Sequence, residues 1–132
     1  MKALSLKQPW ANWIIDGTKT IETRKWNTKF KGRFLIHASK SIDKSVEGET
    51  EPRGCLIGIA YLAGIIKYTN DLDFERDYEY HRVPWHPDKY PIYGYILTDV
   101  KAIKPIPFKG MLNFFETDLT NWDIRTLDSI EY

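Results

Sequence analysis

The sequence predicts a mainly β (α+β) fold, a small curved β-barrel with one or two short helices closing a cleft at its side. Three observations carry that expectation. The longest apolar run, residues 55–66, is rich in β-branched side chains and is interrupted by Gly58 and Gly64, which suits a long strand with bulges or bends. Shorter strand-like segments at 3–6, 18–24, 33–38 and 93–103 are set apart by glycine and proline corners, as in a small barrel. Helical periodicity is too sparse for a bundle. At 132 residues the chain is expected to form a single domain, 1–132, with a core of its own.

Taken in order, Gln8-Pro9-Trp10 opens the first helix, because proline in a first turn loses no needed hydrogen bond and already has a helical φ. Trp10 and Ile14, and Ala11 and Ile15, stand four apart and share a face. Gly17 supplies a left-handed stop, so the helix is expected over 8–17. Residues 18–24 then read as a strand on which Thr20, Glu22 and Arg24 share one face and Ile21 takes the other. A polar, doubly charged strand face directly behind a helix–glycine corner is the best candidate for a site.

Residues 25–32 form a basic loop in which Trp26 and Phe30 alternate with Lys25, Lys29 and Lys31, a composition suited to stacking on bases between phosphate contacts. A core strand follows at 33–38. Residues 39–54 are polar and read mostly as connection, with room for one short helix capped by Ser39 or Ser41. Residues 67–92 read as a long irregular loop, with Asp71, Asp73, Glu75, Asp77 and Glu79 followed by an aromatic part around Tyr78, Tyr80, Trp85 and Tyr90. Prolines 84, 87 and 91 stiffen it, as suits a lid or an end cover. Pro105 and Pro107 argue against a central strand at 104–110, and 111–115 reads as a short helix.

Composition narrows the function classes. Aromatics make up 14% of the chain, with five tryptophans, which implies an aromatic core or a surface that stacks on something flat. Residues 1–40 hold nine Lys or Arg against only Asp16 and Glu22, whereas the remainder holds ten against sixteen acids. A basic N-terminal third can attract phosphate if it folds onto one surface. The lone cysteine, Cys55, sits in the apolar run and reads as a small buried hydrophobe, with no disulfide possible within the chain. No apolar run has membrane-spanning length and the start lacks a signal peptide's apolar segment, so the protein is expected in the cytoplasm, away from membranes. No metal is expected, because His81, His86 and Asp88 have no compact zinc spacing and Asp71, Asp73 and Glu75 no calcium-loop pattern. No cofactor is expected either.

Three blocks in order, Leu4-Ser5-Leu6-Lys7-Gln8-Pro9-Trp10-Ala11, then Gly17-Thr18-Lys19-Thr20-Ile21-Glu22-Thr23-Arg24, then Gly32-Arg33-Phe34-Leu35-Ile36-His37-Ala38-Ser39, resemble the ASCH (activating-signal-cointegrator homology) domain. The G-x-K-x-x-E-x-R pattern falls on Gly17, Lys19, Glu22 and Arg24, and the Pro107-Phe108-Lys109-Gly110 turn resembles the family's closing part. The resemblance implies a PUA-like barrel with a cleft between helix and barrel, and a role in binding RNA or nucleic-acid components. Some members of the family are hydrolases, acting on the amide of acetylated cytidine or on RNA. In the amidase branch the lysine of this block works with a threonine three residues on, a position held here by Glu22.

The candidate ligand-binding residues are therefore Gln8, Trp10, Lys19, Glu22, Arg24, Trp26, Lys31, His37, Ser39 and Lys40. Gln8 and Trp10 stand at a helix start that favours an anion. Arg24 can fork onto a phosphate or stack on a base, and Lys19 offers a point charge. His37 reads either as a cleft residue, as the resemblance implies, or as a satisfied structural histidine. The expected function is binding of RNA or a nucleotide-like small molecule. The alternative is a hydrolase of a modified nucleoside amide or an RNA phosphodiester, with Lys19 and Glu22 as the acid/base pair. A third possibility is a protein-interaction module using the acidic aromatic segment 71–93.

Overall fold

The computed structural model describes residues 1–124. The elements run β1 (Lys2–Gln8), α1 (Trp10–Ile15), β2 (Ile21–Arg24), β3 (Gly32–Ile42), β4 (Cys55–Tyr68), α2 (Asp71–Arg76), α3 (Tyr78–His81), β5 (Ile92–Pro107) and β6 (Phe114–Glu116). All six strands join one sheet in the order β2-β5-β4-β3-β1-β6. β1 and β3 pair in parallel, with Ser5 opposite His37, and the other pairs are antiparallel.

The mainly β expectation holds, but the sheet does not close into a barrel: β2 and β6 are its two edges. Side chains fill the gap that a closing ladder would fill. Phe114 of β6 packs on Tyr95 of β5, beside β2, at a ring-centroid distance of 6.3 Å, and Trp26 lies edge-on to both. The β2 edge is shielded by the segment around α3, where the Thr20 amide donates to the Tyr80 carbonyl. An edge covered in this way needs no further strand.

Central β4 follows the expectation of a long bent strand. Its ladder with β5 shifts register at Leu56/Gly58, Ile59/Tyr61 and Leu62/Gly64, so both predicted glycines sit at irregularities. Gly58 also admits α1, because a Cβ there would lie 2.2 Å from Ile15 Cδ1. The main core packs Ala11 and Ile14 of α1 against Leu4, Leu6, Phe34, Ile36, Leu62 and Leu97, and a second cluster around Leu35, Leu56 and Ile59 covers the other face. Cys55 is buried, as expected.

Several local expectations change. The first helix is shorter than 8–17, because Gln8 ends β1 and Pro9 is its cap. Gly17, at φ +84°, does mark the turn after it. β2 begins only at Ile21, and Thr18 and Thr20 before it bond to Arg82 and Tyr80 of the α3 segment. The segment 39–54 holds no helix. Strand β3 runs on to Ile42, and the Ser39 hydroxyl accepts from the Ser41 amide within it.

The segment 67–92, expected as an irregular loop, contains α2 and α3. Asn70 caps α2 by accepting from the Asp73 amide, and Asp71 and Asp73 lie in its positive first turn. β5 continues through Pro105 to Pro107, where it is paired on one side only by β4, having passed the end of β2. The prolines there meet no second ladder, so their missing donors cost nothing. Residues 114–116 form edge strand β6 where a helix was expected, because Phe114 and Phe115 point to opposite faces and feed the two separate cores.

Candidate functional site

A cleft of about 740 Å³ opens where β1, β2 and β3 meet the 108–113 segment. Its walls hold Trp10, Glu22, Arg24, Trp26, His37, Ser39 and Lys40 of the sequence candidates. The remaining three lie elsewhere. Lys31 is exposed away from the cleft, and Gln8 and Lys19 are buried behind its wall.

Gln8 is fully buried, and its side-chain amide makes three hydrogen bonds. Oε1 accepts from the Asn12 amide and Nε2 donates to the Pro52 carbonyl and to Asn12 Oδ1. Gln8 thus takes up the Asn12 N–H, one of the free donors in the first turn of α1, from within the chain.

The charged face of β2 is built around Glu22. Oε2 accepts from Arg24 Nε at 3.0 Å and lies 3.0 Å from Nη2, while Oε1 faces the Lys19 ammonium at 3.6 Å. Arg24 Nη2 also donates to the Ser5 carbonyl at 2.9 Å, which ties the guanidinium to β1. Lys19 is 1% exposed; its Nζ donates to the His81 carbonyl and stands 4.8 Å from the Trp10 ring centroid. Burial lowers the Lys19 pKa, with Glu22 opposing that effect. Glu22 is the one carboxylate among the described lining residues, and it is neutralised from both sides. Beside it the cleft presents Lys7, Arg24, Lys40 and Lys109, so its balance is positive.

His37 is 1% exposed and bonded at both nitrogens. Nε2 lies 2.7 Å from the Phe108 carbonyl, which can only accept, so Nε2 carries the proton. Burial lowers the ring's pKa and keeps it neutral at pH 7, so Nδ1 accepts from the Ser5 hydroxyl at 2.9 Å. The Ser5 hydroxyl has then spent its hydrogen and offers a ligand only lone pairs. Gly110 closes over this pair: a Cβ at that position would meet His37 Cε1 at 2.7 Å and Ser5 Oγ at 3.1 Å. Both sequence readings of His37 therefore apply, because it is a satisfied histidine and also part of the cleft wall.

Trp10 donates through Nε1 to Asp43 at 2.8 Å and is 9% exposed, so it forms a fixed wall. Trp26 reaches the cleft from the basic loop but leans on Tyr95 and Phe114, which makes it part core and part lining. Ser5, Lys7, Thr23 and Lys109 line the cleft although they were not among the sequence candidates. All four lie inside the segments that carried the family resemblance, so that signal was present. The pairing of Ser5 with His37 depends on the parallel register of β1 and β3, which no local pattern reveals.

His81 is buried and satisfied by the Phe74 carbonyl and the Val83 amide. Among the described residues no group of His, Cys, Asp or Glu could hold a metal ion, and no helix is long and apolar enough to cross a membrane.

The fold and cleft define a class: a small α+β domain with one mixed, open sheet and a cationic cleft at the β1–β2–β3 junction. The model of the ASCH domain matches residues 4–108, and the chain belongs to the ASCH domain family. Among solved structures, the crystal structure of ASCH from Zymomonas mobilis matches with a TM-score of 0.71 at 20% identity, covering 98% of this chain and 94% of that one. Two mutant proteins of ZmASCH from the same organism match at TM-scores of 0.70 and 0.71, again at 20% identity and over 98% of this chain, covering 94% and 96% of theirs. At that identity the likeness is one of fold. No curated protein matches the chain.

Proposed function

We propose that this ASCH domain binds RNA by holding a nucleotide-sized unit in the cationic cleft. The observation that carries the reading is the lining itself. Lys7, Arg24, Lys40 and Lys109 surround a cleft of about 740 Å³ whose only described carboxylate is already neutralised by Lys19 and Arg24. That volume lies within the roughly 300–1,000 Å³ typical of small-ligand sites. Trp10 and Trp26 add flat apolar wall for a base, and the Ser5 hydroxyl adds an acceptor for a base N–H. Arg24 is held on Glu22 and the Ser5 carbonyl, so little side-chain entropy remains to be lost on binding.

The same geometry supports binding over the hydrolase alternative. An acid/base pair must reach the reacting atoms, and Lys19 stands behind Glu22 with its ammonium on the His81 carbonyl. Its position suits the task of holding Glu22, and through it Arg24.

The test is fluorescence anisotropy with short single-stranded RNA over a salt series. Two to four phosphate contacts give a log–log salt slope of about −1.5 to −3, at roughly 0.7 per contact. Arg24→Ala and the pair Lys40→Ala with Lys109→Ala weaken binding and flatten that slope, whereas Lys31→Ala, outside the cleft, changes neither. Binding that is absent, or indifferent to salt and to Arg24, overturns the reading.

A further inference from the structure

A second cleft, of about 630 Å³, lies along the same strand and is bounded by the segment between α3 and β5. Two features run from the first cleft into it. Thr23 and Arg24 line both, which is possible because β2 is a four-residue edge strand. Trp10 in the first cleft also meets Trp85 in the second, edge to face, at a centroid distance of 6.4 Å. A cationic contact and an aromatic contact therefore join the two spaces.

The lining of the second cleft has its own chemistry. Lys25 and Lys89 extend the positive charge of Arg24, against the single carboxylate of Asp88. The nearby acids Asp71 and Glu75 do not line it, being turned onto the two nitrogens of His86 at 3.4 and 3.6 Å. Trp85 is 43% exposed, so ring surface remains free for stacking beyond its contact with Trp10. Lysines lining the same cleft as an exposed tryptophan match the demands of a single nucleic-acid strand, whose phosphates and bases alternate along its length.

We infer that the two clefts form one track for single-stranded RNA. Arg24 is the junction, Lys25 and Lys89 take backbone phosphates, and Trp85 stacks a base beyond the unit held in the first cleft. This rests on the reading of the first cleft as a nucleotide site in an RNA-binding domain and adds to it a second subsite and the path of the strand between the two.

Anisotropy competition with uridine monophosphate and with oligouridylates of two, four and eight residues tests the track at fixed salt. Affinity rises by about tenfold or more between the mononucleotide and the tetranucleotide, on the scale of one stacked base, and then levels off. Trp85→Ala removes most of that increment. Lys89→Glu, an exposed charge reversal that leaves the packing alone, does the same and lowers the salt slope. If the mononucleotide binds and length adds nothing, the track is refuted and the single-nucleotide site stands. A length dependence indifferent to both variants also refutes it, as does equal competition by polyglutamate of matched charge. Failure of every RNA, the mononucleotide included, removes the first cleft's reading as well.

Discussion

Replacing Lys19 by methionine isolates the buried cation behind the cleft wall. The substitution keeps an unbranched, flexible stem and deletes the ammonium. The His81 carbonyl loses its donor, which costs about 1–3 kcal/mol when nothing replaces it. Glu22 loses the cation 3.6 Å from Oε1 but keeps Arg24 at 3.0 Å. The penalty of about 3–5 kcal/mol for a stranded buried charge is therefore not incurred in full. Against these losses, the desolvation of the ammonium disappears, and that is the largest influence on Lys19. The net expectation for Lys19→Met is a destabilisation of about 1–2 kcal/mol, or about 3–8 °C in the thermal midpoint of a domain this size. Lys19→Ala also vacates the stem, and costs about 2 kcal/mol more.

The pH dependence supplies a sharper readout than the size of the loss. Lys19 in the folded chain has its pKa lowered below the ordinary 10.5. Between those two values the unfolded chain binds more protons than the folded one, so the Lys19 contribution to stability rises with pH through that window. Tyr68 and Tyr95, pushed upward by burial, act in the opposite direction above pH 10. Both tyrosines are present in either protein, so the difference between wild type and Lys19→Met cancels them. Urea titrations across the alkaline range should show that difference growing in favour of the wild type. A flat difference, or a Lys19→Ala protein as stable as the wild type, would refute the buried ammonium and the support it gives Glu22.

Three further outcomes follow from the same structure. Gly58→Ala places a methyl 2.2 Å from Ile15 Cδ1 and 3.0 Å from the Lys101 carbonyl, so the Ile15 side chain must turn aside and the neighbouring backbone must give. Thermal unfolding should register a loss of about 1–3 kcal/mol, and an unchanged midpoint would contradict that packing. Asn70→Ala removes the cap of α2 and should cost about 1 kcal/mol, read from denaturant midpoints, with Asn70→Asp largely preserving stability. His37, its pKa lowered by burial, should appear as the neutral Nε2–H tautomer in nitrogen NMR at pH 7. Stability should fall as pH drops from about 6.5 toward its folded value, because the unfolded chain takes up the proton first. His81, also lowered by burial, adds in the same direction, and a charged His37 ring at neutral pH would overturn the assignment.

Elements whose cause is local are legible in the sequence itself. The glycines in 55–66 mark the bends of β4, Gly17 marks the end of α1, and period-two alternation puts Glu22 and Arg24 on one face. The family blocks run through the region where the cleft opens, and seven of the ten candidate residues line it. The cap at Asn70 with Asp73 three residues on is a local signal too, but the acidic and aromatic residues around it read as loop.

What only the tertiary structure decided has a common physical reason, which is that it depends on pairings between distant segments. The sheet stays open because Phe114 reaches Tyr95 through side chains and the α3 segment covers β2, and neither contact has a signature at its own position. The spacing of Lys19 from Glu22 suits a ligand contact, but the His81 carbonyl, 62 residues away, claims its ammonium. Ser5 enters the cleft through a parallel register with His37, and Trp85 joins the second cleft to the first through Trp10. The sequence determined which residues could carry charge, stacking and strand bends. The meeting of distant strands decided which of them face the cleft and which hold those that do.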